Sequence, residues 1–303
     1  MKRPAFLTKI LQKIVYLRRL PVMASEVGRY FPGHYYSPIP SRKEVEEYCA
    51  GAPYDDKVPD VDLRRGEQWL LLEQFAKFYS EMPHLNRRDE TLRYSLDSEE
   101  RWFGHSDAIM LYSFIRHFKP RKIVEIGSGH SSALILDILE RFGGGDTEVT
   151  FIDPNPERLE SILRPGDGER AQVIAKRVQD VEVDLFQQLS RGDLLFIDSS
   201  HVLKLGSDLH HILFKIVPSL PVGVHIHFHD IFYPFEYPVE WLKLGRYWNE
   251  IYMIRAFLAG SSSWQVTMFN EFVNKEFGAL LEEKMPACRE DFGSSLYITK
   301  VAE

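Results

Sequence analysis

Three short runs of this sequence place groups that can do chemistry at fixed spacings. The first is Val124-Glu125-Ile126-Gly127-Ser128-Gly129-His130-Ser131-Ser132, which follows a β-branched stretch and opens a helical one. Glycines at 127 and 129 permit a tight turn and let a ligand approach the backbone at the carboxyl end of a strand. A dinucleotide fingerprint would carry its third glycine at position 132, where this chain has serine. Glu125 repels a pyrophosphate but accepts hydrogen bonds from an ammonium group and from hydroxyls. The second run, Leu194-Leu195-Phe196-Ile197-Asp198-Ser199-Ser200-His201, puts a carboxylate where an apolar strand opens, a costly position unless something binds it. The third, Gly223-Val224-His225-Ile226-His227-Phe228-His229-Asp230, places three histidines on one face by strand alternation.

Asp198, His229 and Asp230 are candidate ligands for a divalent metal, provided the chain turns after His229 to bring Asp230 to the same side. The alternative makes these histidines core groups, and His225 and His227, deeper in the strand, are read as structural. His201 is free to project from its loop and take a proton from an acceptor hydroxyl, with His229 as the second candidate base. A capping or surface histidine is the plain alternative for His201.

S-adenosylmethionine is a ligand with the ammonium and hydroxyl groups that Glu125 suits. In Phe151-Ile152-Asp153-Pro154 the carboxylate is placed to accept from a ribose diol, or else to cap a helix. In Gln179-Asp180-Val181, Asp180 is the expected acceptor for an adenine amine and Val181 the apolar contact for the ring. The expected cofactor contacts are thus Glu125, Gly127, Ser128, Gly129, Ser131, Asp153, Asp180, Val181 and Asp198.

The elements that must position these groups are legible in the change of hydrophobic period at Arg121. Strand-like runs at Lys122–Ile126, Val149–Ile152, Gln172–Ala175, Leu194–Ile197 and Val224–Phe228 alternate with helical stretches, the pattern of a doubly wound parallel sheet. Trp264–Phe269 and Leu296–Thr299 add two more, for an α/β, Rossmann-like, seven-stranded sheet that is mostly parallel with an antiparallel last strand. Residues 106–303 are expected to form this domain, with 1–105 as an accessory and lid region. Within that region 24–66 reads as irregular, 67–79 as helix, and Ser106-Asp107 as the cap of a helix reaching Phe118. An ordinary helix packed on the domain or used in oligomerisation is expected over Met1 to Met23, with a basic amphipathic helix touching a membrane or a partner as the alternative. His34-Tyr35-Tyr36 and the aromatic stretch Ile231 to Glu250 are expected to cover an acceptor or to form a subunit interface.

Composition bounds the classes. The 303 residues carry a net charge of −7, with 44% hydrophobic and 27% charged residues, which fits a folded globular protein and argues against a nucleic-acid partner. Cys49 and Cys288 form no paired motif, and no apolar run near the amino terminus escapes interruption by charge. A cytoplasmic protein without a membrane span, acting on a small molecule and able to form a homo-oligomer, is the expectation.

From about Ser106 to Lys300 the chain resembles the class I S-adenosylmethionine-dependent methyltransferases, on Glu125-Ile126-Gly127-Ser128-Gly129, Asp153, Asp180 and the strand order. Asp198 with His201 and the pair His229-Asp230 are similar to positions in the metal-dependent O-methyltransferases of the catechol and macrolide-sugar type. That resemblance implies O-methylation of a small-molecule or sugar hydroxyl, with the fourth-strand Asp and the two residues after the fifth strand binding the metal and His201 serving as base. An acidic residue is usual where this chain has His229, which leaves magnesium, manganese and iron as candidates, or no metal. Two other readings stand beside it: a metal-dependent oxygenase or hydroxylase using His227, His229 and a carboxylate, and a non-catalytic partner subunit that keeps the fold.

Overall fold

β-branched and aromatic runs between turn residues become seven strands of one sheet, ordered β3-β2-β1-β4-β5-β7-β6. The strands are β1 (Lys122–Ile126), β2 (Glu148–Ile152), β3 (Ala171–Ile174), β4 (Leu194–Ile197), β5 (His225–Phe228), β6 (Trp264–Phe269) and β7 (Leu296–Lys300). The first five are parallel, and β7 runs antiparallel to both of its neighbours. The computed structural model describes residues 29–51, 57–85, 91–96, 103–143 and 147–303. The helix expected before Met23 lies outside the described residues. Among them, no helix is long and apolar enough to cross a membrane.

The chain divides into two units, one of residues 1–53 with 238–247 and one of 54–237 with 248–303. In the first, helix α1 (Arg42–Gly51) packs on the short helix Val239–Lys243, with Val45 and Leu242 buried. This helix corrects the expectation of an irregular 24–66. Ser41 and Glu44 form a capping box: the Glu44 amide donates to Ser41 Oγ at 3.2 Å and the Ser41 amide to Glu44 Oε2 at 2.6 Å.

The second unit holds the sheet, with helices on both faces. Helix α2 (Arg65–Tyr79) packs on helix α3 (His105–Phe118), and α3 packs in turn on helix α4 (His130–Phe142). Every residue of β4 and β5 is buried, and so is α3 from Ser106 to Ile115. At about 1.5–3 kcal/mol for each large apolar side chain taken from water, these central elements form the rigid base of the fold. The start of α3 corrects a second expectation. Its amides are capped from far along the chain by Asp291, which accepts from His105 N at 2.6 Å and Ser106 N at 3.0 Å. Asp107 is instead buried in the first turn.

The chain leaves β1 towards β2 and β3 and returns to β4 on the other side of β1. The crevice at the carboxyl ends of β1 and β4 is therefore the switch point where open parallel sheets take their ligands.

Candidate active site

At that switch point lies a cavity of about 450 Å³, lined by the residues that follow β1, β2, β3 and β4. Its size falls in the range of about 300–1,000 Å³ typical of small-molecule sites. Gly127, Asp153 and Asp198, three of the expected cofactor contacts, line it together with Ile126, Ile152 and Val178. Gly127 is held at φ +84, and a Cβ there would lie 1.8 Å from the carbonyl oxygen of Asp198. Only glycine lets β1 and β4 turn into the crevice side by side. Asp153 Oδ2 accepts from the amide and the hydroxyl of Ser128 at 2.9 and 3.1 Å, which ties the second strand to the glycine turn.

The remaining predicted cofactor contacts sit elsewhere. Glu125 is fully buried behind the turn, where its carboxylate accepts from the Ser131 hydroxyl and, at 2.7 Å, from the Ser132 hydroxyl. Ser132, at the position a dinucleotide site gives to glycine, also accepts from Gly129 N at 2.9 Å. Asp180 turns outward to Arg177, three residues earlier, with 2.8 and 3.0 Å contacts that hold its carboxyl below the usual range. Val178 and Gln179 of the same loop line the cavity, while Asp180 and Val181 do not.

Beside Asp198 a cluster of charge closes this end of the sheet. Asp198, His201 and Asp230 each offer a ligand atom, and the three atoms lie within 4.8 Å of one another. His201 Nε2 stands 3.4 Å from Asp198 Oδ1 and 3.5 Å from Asp230 Oδ2. His201 and Asp230 both take φ 58, in the left-handed region that non-glycine residues adopt at a cost of about 1–2 kcal/mol. That turn is the one the sequence required to bring Asp230 round. The predicted ligand His229 is replaced in the group by His201. Strand alternation keeps His229 inside, against Phe103 and facing Ser295, with its Nε2 3.8 Å from Asp230 Oδ1.

His227 does not join either, which corrects the two-histidine oxygenase arrangement. It is fully buried, stacked on Phe196 at 3.8 Å, and neither ring nitrogen has a hydrogen-bond partner. Burial therefore pushes it well below the ordinary histidine range, so it stays neutral. His225 donates or accepts at Thr299 Oγ1 over 2.7 Å, on the strand beside it.

A family model described as a methyltransferase domain matches residues 124–231, the span from β1 through Asp198, His201 and Asp230. That span of the chain is a methyltransferase domain, set on the Rossmann-like sheet described above. An uncharacterized protein of Archaeoglobus fulgidus is 35% identical over 191 residues, 60% of this chain and 85% of its own length. Among solved structures, an S-adenosylhomocysteine-bound methyltransferase of Podospora anserina is 15% identical, with a TM-score of 0.43 over 91% of this chain and 100% of that one. An O-methyltransferase of tomaymycin synthesis from Streptomyces achromogenes, solved with S-adenosylmethionine, is 12% identical, with a TM-score of 0.42 over 86% and 96%.

In this methyltransferase two residues that sequence reasoning passed over complete the cluster. Glu250, only 1% exposed, contacts His201 Nδ1 through Oε2 at 2.7 Å. Asp107 lies behind His229 and accepts from Ser294 N at 3.0 Å, Ser295 Oγ at 2.5 Å and Asn270 Nδ2 at 2.8 Å. Burial alone would depress His201, but hydrogen bonds to Asp198 and Glu250 outweigh it and raise the imidazole to about 11. His229 is likewise raised, with Asp230, Asp198 and Asp107 overcoming its burial.

Glu125 shifts for the opposite reason. Burial pushes its carboxyl from the ordinary 4.5 up to about 8, against the pull of the two serine hydroxyls, and the charges of Asp198 and Asp153 push the same way. The folded protein then binds a proton that the unfolded chain has released. Stability from this group is complete below the unfolded value and falls as pH rises through about 8. Glu125→Gln, which can still bond both serines, is expected to remove that slope. Melting curves from pH 5 to pH 9 check it: the variant should lose less of its melting temperature over this range than the parent, and parallel losses would refute the assignment.

Proposed function

We propose that this chain transfers the methyl group of S-adenosylmethionine to a hydroxyl of a small-molecule or sugar acceptor, assisted by a divalent cation between Asp198, His201 and Asp230. One observation carries the reading: Asp198 both lines the cavity and belongs to the three-residue ligand group. Its carboxyl is held below the ordinary range because the His201 hydrogen bond and the His229 charge outweigh burial. It therefore presents negative charge to both sites.

The residues present fit the cofactor. Ile126, Ile152 and Val178 offer apolar wall, and Asp153 is a carboxylate acceptor at the end of β2. The carboxylate of Asp198, held below its ordinary range at the cavity wall, favours a cationic ligand. When bound, S-adenosylmethionine supplies an electrophilic methyl group on a sulfonium, so the protein's tasks are alignment and removal of a proton.

The charge of His201 decides between two roles for it. A base that keeps its proton up to about pH 11 cannot accept one at neutral pH. In the absence of another cation, the His201 proton serves as counter-charge to Asp198 and Asp230. A divalent ion between these groups would replace that proton, with two carboxylates and Nε2 as donors, a set that suits magnesium or manganese with one nitrogen ligand. Such an ion would supply Lewis acidity to an acceptor hydroxyl, whose proton would then pass to solvent.

Calorimetry with S-adenosylmethionine and S-adenosylhomocysteine tests the cofactor half: one-to-one binding is expected, and no heat at millimolar ligand would overturn it. Treatment with a chelator tests the other half. Methyl transfer to hydroxylated acceptors should fall at least about tenfold and return with magnesium or manganese. Full activity after chelation would remove the cation from the scheme.

A further inference from the structure

The imidazole of His201 sits on a left-handed residue in a loop, a placement that persists only where the surroundings hold it. Three consecutive residues do the holding. They are Trp248, Asn249 and Glu250, where helix α5 (Glu250–Leu258) begins.

Each residue of this triplet grips the loop differently. The amides of Asn249 and Glu250 both donate to the His201 carbonyl at 3.2 Å. The Asn249 side chain accepts from Leu203 N at 2.6 Å and donates to Leu203 O at 3.1 Å, so its amide group closes a two-way bond with one residue. The Trp248 indole stacks on the His201 ring at 4.4 Å and 30°. Glu250 Oε2 takes Nδ1. Main chain, ring plane and one ring nitrogen are thereby all fixed from a single helix start.

We infer that Trp248-Asn249-Glu250 is the positioning element of the reaction centre, with Glu250 the residue that commits Nδ1 of His201 and leaves Nε2 to face Asp198 and Asp230. The inference rests on the reading of Asp198, His201 and Asp230 as that centre. Glu250 itself stays outside the three-residue ligand group and acts through the imidazole. The arrangement follows the rule that an imidazole's working nitrogen is selected by the partner of the other nitrogen. A carboxylate partner also keeps the ring donating at Nδ1, so that the lone pair freed when a cation replaces the Nε2 proton faces Asp198 and Asp230.

Two substitutions separate this role from simple support. Glu250→Gln keeps an oxygen that can accept from Nδ1, and Glu250→Leu keeps bulk but no acceptor. Affinity for S-adenosylmethionine should stay within about twofold in both, because Glu250 does not line the cavity. Turnover number and manganese affinity should fall about 10-fold in Glu250→Gln and nearer 100-fold in Glu250→Leu. Nuclear Overhauser contacts between the His201 ring and the Trp248 indole should persist in the parent and in Glu250→Gln, and disappear in Glu250→Leu.

A folded Glu250→Leu protein with unchanged ring contacts and turnover would overturn the inference. So would cofactor affinity falling in step with turnover, since that marks general damage to the fold. If the parent binds no manganese and turns over no acceptor, the proposed function fails. The ring contacts still decide the positioning role in that case.

Discussion

Asp198→Asn should lower kcat/KM by about a thousandfold, the largest functional effect expected of any single conservative change in this protein. Asn keeps the size and one acceptor oxygen of Asp but loses the charge on which both halves of the site depend. On the cluster side, the carboxylate is the nearest acid to His201 Nε2, at 3.4 Å, and one of the three ligand groups. On the cavity side, it supplies charge to a cationic cofactor, where a lost pair contributes roughly 1 kcal/mol and about fivefold to tenfold in affinity. The change should thus divide unequally: a small rise in the dissociation constant for S-adenosylmethionine and a large drop in turnover. Calorimetry and steady-state kinetics on the same preparation measure the two parts. A kcat/KM within tenfold of the parent would remove Asp198 from the centre. The backbone should be undisturbed, since the Asp198 amide donates to Ile126 O at 2.9 Å in either protein.

Gly127→Ala should have the largest effect on stability. Two costs add at this position. A residue with a Cβ at φ +84 leaves its favoured backbone regions, at roughly 1–2 kcal/mol. The added carbon would also lie 1.8 Å from the carbonyl oxygen of Asp198, so β1 and β4 must separate where their last residues pair, Ile126 beside Ile197. Both neighbours are backbone inside a buried sheet, and no flexible side chain is available to yield. A loss of about 3 kcal/mol or more is expected, which in a domain of this size lowers the melting temperature by roughly 6–12 °C. Cofactor binding should be lost with it, because the residues that separate are cavity lining. A melting temperature within two or three degrees of the parent would show that the turn relaxes in a way the static geometry does not convey. The comparable change at Gly168, where a Cβ would meet nothing within 4 Å, serves as the control.

How far the sequence could be read follows from which contacts are local. Strand positions came from β-branched runs bounded by turn residues, and β1, β4 and β6 begin and end where that pattern places them. Asp198 and Asp230 were legible because a carboxylate at the end of an apolar strand has few reasons to be there. Asp180 shows the limit of this argument. Its partner Arg177 lies one helical turn back, and an exposed ion pair satisfies the carboxylate without any ligand. Glu250 was legible only as the end of the stretch expected to cover an acceptor, with no signal for its tie to His201. It meets His201 across 49 positions of sequence, by way of a helix start whose placement follows from tertiary packing and from no periodicity. Asp107 looked like a cap because Ser-Asp before an apolar stretch usually is one. Its true partners, Ser294 and Ser295, come from the other end of the domain. Helix α1 was missed for another reason: the Pro, Gly and Tyr residues before it obscured a four-residue capping box.

The place of β7 has a consequence for how the protein is made. It is the last of the seven strands in sequence, yet it lies inside the sheet between β5 and β6. It brings Ser294 and Ser295, which seat Asp107 behind His229. A chain emerging from the ribosome therefore exposes Asp198, His201, His229 and Asp230 before the strand that completes their surroundings exists. Until then β5 has an open edge and Asp107 is a carboxylate without its serine donors. Pairing across such a sequence separation is slow relative to local helix formation. The surroundings of His229 are thus among the last parts of the molecule to be completed, after every residue that lines the cavity has been made.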